Sequence, residues 1–162
     1  MSFWINQLVA IIFIGAGATL VTDLWALIRR SWFGTALPNF GLVGRWIGHM
    51  RQGKFRHDAI AAAAPIRGET CIGWVAHYLI GIAFAALLIF IFGPGWLQQP
   101  RLVPALLVGI GTVAAPFLLM QPGMGSGIAA SRTAHPARAR MQSLVTHAVF
   151  GLGLYMAGWL IS

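Results

Sequence analysis

The chain has 162 residues, of which 58% are hydrophobic and 9% charged, with a mean hydropathy of +0.77. A water-soluble core cannot absorb that much apolar surface, so the composition excludes an ordinary soluble globular protein. The formal net charge of +8 sits beside apolar runs, where anionic lipid headgroups, not nucleic acid, are the expected partner.

A helix needs about 20 mostly apolar residues to cross about 30 Å of hydrocarbon, and four windows qualify: 4–28, 70–92, 102–121 and 143–161. The first lacks a basic leader and ends in Arg29-Arg30, so it is expected to remain as a span and not be cleaved as a signal. Glycine and proline close the others: Gly93-Pro94-Gly95 after the second, Gln121-Pro122-Gly123 after the third. Cys71 is the single cysteine, which excludes an intramolecular disulfide and any cysteine-based zinc motif.

The insertion 29–68 contains Gly41-Leu42-Val43-Gly44-Arg45-Trp46-Ile47-Gly48-His49-Met50, expected to form a short interfacial helix in the headgroups. Gly44 and Gly48 have the spacing of a small-residue packing pair. Ala59 to Ala64 suggests one further short helix, while His49 and the pair His57-Asp58 are expected to be solvated or at headgroups. Glu69, at the mouth of the second window, is expected to pair with Arg67.

Seven Lys and Arg residues lie in 29–68, one in 94–101 and three in 122–141. The positive-inside rule then makes 29–68 and 122–141 cytoplasmic and puts both termini outside. Trp4, Trp96 and Trp159 would mark the outer interface, and Trp32 and Trp46 the inner one.

Val75-Ala76-His77-Tyr78-Leu79-Ile80-Gly81-Ile82 and Val145-Thr146-His147-Ala148-Val149-Phe150-Gly151-Leu152 share one pattern, and Ile14-Gly15-Ala16-Gly17 matches Val108-Gly109-Ile110-Gly111. The expected fold is therefore all-α: a single polytopic domain over 1–162, four spans in an up-down bundle, built as a tandem repeat of two hairpins. Chance likeness among apolar helices is the alternative.

Asp23, His77 and His147 fall at similar depths on the cytoplasmic side. Gly15, Thr19 and Asp23 share a stripe, as do Gly73, His77 and Gly81, and Ser143, His147 and Gly151. Small residues permit close helix approach and a lipid-facing carboxylate is costly, so these stripes are expected to face the bundle interior. Thr19 and Thr146 join the polar set; Glu69 and Gln121 are accessory candidates, the latter at a helix end whose carbonyls are suited to an ion. Such a set suits proton transfer, a divalent metal or haem held by the histidines with Asp23, or simple hydrogen bonding that fixes register. No cofactor is required by the sequence and no residue pattern identifies an enzyme.

Asp23-Leu24-Trp25-Ala26-Leu27, Gly44-Arg45-Trp46-Ile47-Gly48-His49, Phe55-Arg56-His57-Asp58, Gly73-Trp74-Val75-Ala76-His77-Tyr78, Gln121-Pro122-Gly123-Met124-Gly125, Ala129-Ala130-Ser131-Arg132 and Thr146-His147-Ala148-Val149-Phe150-Gly151 together resemble a bacterial family of small multi-pass membrane proteins, domain of unknown function 2938. The resemblance implies a bacterial inner-membrane protein without an assigned activity and supplies no site residues. The functional expectation is a small transporter, channel or proton-handling protein. A membrane scaffold with a structural polar triad is the alternative and a metal or haem protein the third. Four helices enclose little volume, so a wide pore would need a homo-oligomer.

Overall fold

The computed structural model describes residues 2–162, with side chains from residue 4 onward. Five helices account for the fold, and no strand occurs among the described residues. They are α1, Ser2–Phe33; α2, Phe40–Met50; α3, Glu69–Phe92; α4, Leu102–Met124; and α5, Pro136–Trp159. Short 3₁₀ turns at Ile60–Ala62, Pro94–Leu97 and Ile128–Ala130 punctuate the connections.

Helix α1 continues past Arg29-Arg30, where the hydropathy window ends, because nothing in Ser31-Trp32-Phe33 opposes helix. It stops at Gly34, whose φ of 60° accompanies a bond from its N–H to the Arg30 carbonyl at 3.1 Å, a left-handed C-terminal cap. Gly93 closes α3 the same way, with φ 80° and a 2.9 Å bond to the Ile89 carbonyl. Helix α5 opens with Pro136 at its first position, where a missing N–H costs nothing. Its start, earlier than the window 143–161, takes in Arg138 and Arg140.

Three helical stretches are long and apolar enough to cross a membrane: Trp4–Phe33, Glu69–Phe92 and Leu102–Met124. Helix α5 has 24 residues, about 36 Å at 1.5 Å per residue, with its two arginines confined to the first two turns. Helix α4 does not end at Gln121. Pro116 withholds a backbone donor, the chain passes through a wider π turn over Pro116–Met120, and the Gln121 N–H bonds the Pro116 carbonyl before helix resumes to Met124.

The chain divides into two compact units. The first comprises Met1–Leu37, Tyr78–Thr112 and Val145–Ser162, and in it four helical segments pack around Ile14, Ala18, Leu88, Ala105, Phe150 and Leu154. The contacts fix helix direction. A Cβ on Gly15 would lie 2.8 Å from the Ile82 nitrogen, and Thr19 meets Gly81; position rises along α1 as it falls along α3, so the pair is antiparallel. Gly17 opposes Ala157 while Ala18 and Val21 oppose Gly153, which makes α1 and α5 antiparallel too. A Cβ on Gly151 would lie 2.9 Å from the Ala105 carbonyl, while one on Gly109 would lie 2.9 Å from the His147 carbonyl, giving the same relation for α4 and α5. The outer faces of this bundle are apolar: Leu8, Leu20, Phe90, Leu107 and Met156 are all exposed, as lipid contact requires. Trp96 is an exception to the expected aromatic belt. It is 1% exposed, packs under Gly158 and donates Nε1–H to the Arg101 carbonyl at 3.1 Å. Trp4 and Trp159 are exposed.

The second unit comprises Pro38–His77 and Val113–Leu144. Its α2 packs against the protein, and none of its residues is fully exposed. Gly44 lies so close to α3 that a Cβ would collide with the Glu69 carbonyl and lie 2.7 Å from the Gly73 nitrogen; Gly48 abuts Ile66. Both glycines of that pair therefore serve packing. Trp46 covers Gly123, where a Cβ would lie 2.6 Å from the indole, and its Nε1–H donates to the Phe55 carbonyl at 2.9 Å.

Candidate functional site

In the first unit the polar side chains lie in an otherwise apolar interior. Asp23 is half-buried on α1, and the Tyr78 hydroxyl of α3 donates to its Oδ2 at 3.0 Å. Thr19 and Thr22, 1% and 7% exposed, donate to the carbonyls of Gly15 and Thr19 at 2.8 and 2.6 Å. These hydroxyls satisfy themselves on their own helix, which keeps them from costing an unpaired group in lipid.

His147, on α5, is held by α4. Its Nδ1 lies 3.2 Å from the Gly109 carbonyl and 3.0 Å from Thr112 Oγ1, while the Thr112 hydroxyl donates to the Gly109 carbonyl at 2.6 Å. A carbonyl only accepts, and the Thr112 proton is already committed, so Nδ1 must carry hydrogen. In the neutral ring the lone pair then sits on Nε2, the atom able to take a proton or a cation.

The antiparallel register brings Asp23 and His147 to one level. Asp23 lies five residues beyond Ala18 and His147 six residues before Gly153, and Ala18 contacts Gly153. At 1.5 Å per residue both stand roughly 8–9 Å from that contact, toward the same end of the bundle. Thr146 is half-buried on the neighbouring α5 position.

His77 belongs to the second unit, where its ring stacks on Phe40 at 4.1 Å and meets Trp74 edge-on at 5.9 Å. Glu69 pairs with Arg45 and not with Arg67. Arg45 Nη2 and Nε donate to its two carboxylate oxygens at 2.8 and 2.9 Å, and the Ile66 N–H adds a third bond at 3.1 Å. Arg45 Nη1 also reaches the carbonyls of Ala61 and Ala63 at 3.2 and 3.0 Å. The hydrogen bond to Glu69 holds the guanidinium pKa above its ordinary value. Gln121 Oε1 is buried without a hydrogen-bond partner.

Two histidines expected in solvent are buried instead: His49 and His57 are each 8% exposed. His49 Nε2 lies 2.9 Å from the Ala64 carbonyl, and the His57 backbone N–H donates to the Gly123 carbonyl at 2.9 Å. Their basic neighbours Arg51, Lys54 and Arg56 are exposed, which is the sequence signal that hid them. Tyr78 and Thr112 also went unremarked as site residues, although a hydroxyl inside an apolar window is itself a signal. Among the described residues no group of three or more His, Cys, Asp and Glu side chains is gathered as for a metal ion.

A search of curated proteins and of solved structures finds no match. A family model described as "Protein of unknown function (DUF2938)" matches residues 12–161. That span covers α1 from Ile12 onward, the other four helices whole and every polar group described above, so the chain belongs to the DUF2938 family of proteins of unknown function.

Proposed function

We propose that this is a bacterial inner-membrane protein of four spans that moves protons or a small cation, with Asp23 and His147 as its intramembrane carriers. The observation that carries the reading is their common level in the bundle, with each group prepared for exchange. The Tyr78 hydroxyl bonds the carboxylate, and the Nδ1 bonds to Gly109 and Thr112 turn the basic Nε2 of His147 outward from α4. Ionisable groups inside a membrane are expensive and mark proton and ion paths. In this reading α5 is the fourth span, both termini are outside, and 29–68 and 122–141 face the cytoplasm, as their basic residues favour. A tandem hairpin repeat is supported by the Gly15–Ile82 and Gly109–Gly151 approaches, which join the corresponding helices of each hairpin at nearly corresponding positions.

A scaffold in which these bonds only fix register is the second reading, favoured by the internal partners of Tyr78 and Thr112. Purified protein reconstituted into liposomes with an imposed pH gradient separates the two. Proton or cation flux above that of empty liposomes, reduced at least ~10-fold in Asp23→Asn and in His147→Gln with the folded protein retained, fits the carrier reading. Flux no greater than that of empty liposomes leaves the scaffold.

A further inference from the structure

We propose that His49 and His57 form a binding site for a divalent transition metal of the Zn²⁺ type, in the second unit and independent of the carrier reading. Both nitrogens of the His57 ring are buried and lack a hydrogen-bond partner, in a residue only 8% exposed. Burying an imidazole so costs free energy unless something satisfies it. The His49 ring stands beside it, with centroids 5.1 Å apart and planes at 73°.

That spacing has a chemical meaning. Two imidazoles that place nitrogens about 2.0–2.1 Å from one tetrahedral ion bring their ring centroids to about 5 Å. His49 is also prepared as a ligand. Its Nε2 faces the Ala64 carbonyl at 2.9 Å and so must carry the hydrogen, which leaves the lone pair on Nδ1. A metal-binding histidine commonly donates its other ring N–H to a backbone carbonyl in this way, and the bond fixes tautomer and orientation. Both rings are held by their backbones, His57 through its N–H to Gly123 and His49 within α2. Imidazole nitrogen is a borderline donor and selects Zn²⁺ or its first-row neighbours over Mg²⁺ or Ca²⁺. With two protein ligands, the remaining positions are left to water or an exogenous ligand.

The test uses full-length protein in detergent, stripped of metal and titrated with Co²⁺, then with Zn²⁺. Wild type is expected to bind one Co²⁺ per chain with ligand-field absorption that Zn²⁺ abolishes. His49→Gln and His57→Gln should each weaken binding at least ~10-fold, and His135→Gln, at an exposed position, should not. Absence of stoichiometric binding, or binding that survives His57→Gln, overturns the proposal. Should either variant fail to fold, X-ray absorption on Zn²⁺-loaded protein carrying His77→Gln and His147→Gln decides. A shell containing two imidazoles supports the site, and fewer than two overturns it.

Discussion

Single residues divide here into those whose surroundings in sequence announce them and those whose surroundings conceal them. Asp23 and His147 stand out as ionisable groups in apolar windows, and their inward stripes follow from helical spacing alone. What sequence spacing leaves open is the partner: that Asp23 accepts from Tyr78 and that Thr112 orients His147 depends on which helices pack together and at what rotation. Arg45 shows the same limit. Arg67 is nearer to Glu69 in sequence, but the packing of α2 makes Arg45 the partner instead. Its paired bonds need a planar guanidinium. Arg45→Lys is therefore expected to free the segment 60–66 and raise the rate of limited proteolysis there several-fold, with the Lys54-Phe55-Arg56 stretch cleaved next; unchanged cleavage would show that the clamp is dispensable.

The end of α3 at Phe92 is legible because Gly93 breaks the helix where the apolar run stops. Boundaries are missed where polarity is taken for an ending, since α1 runs on through two arginines and α5 begins at Pro136 with two more inside it; α4 likewise runs on through Pro122 to Met124. Helices end where backbone bonding ends, and hydropathy reports lipid depth instead. The interhelix seams rest on glycines whose missing Cβ leaves room for a facing backbone. Gly109→Leu and Gly15→Leu should each destabilise the bundle by about 1–3 kcal/mol or more through overpacking, seen as a lower melting temperature in detergent. Phe90→Leu, on the exposed face of α3, should change it little. Equal effects from all three would contradict the seams.

At the scale of the whole molecule, composition and apolar windows foretell a helical chain with helices long and apolar enough to cross a membrane, and the family membership rests on a match over residues 12–161. Three helical stretches satisfy the length and apolarity of a span; α5 would join them only with its first turns outside the hydrocarbon. The order inside the second unit was the least legible part. Its insertion reads as a basic connection, yet Gly44, Trp46 and His57 are drawn inward by contacts with α3 and with Gly123, distant in sequence, and His49 by the Ala64 carbonyl. The carrier reading needs His147 inside the membrane, and hence needs α5 to cross it. Membrane-impermeant thiol labelling of intact cells tests that most directly, using Ser162→Cys or Lys54→Cys in a Cys71→Ser background. Four spans predict labelling at position 162 from outside and at position 54 only after the cells are opened; labelling at position 162 only after opening, with the N-terminus outside, would mean an odd number of crossings and would contradict the account.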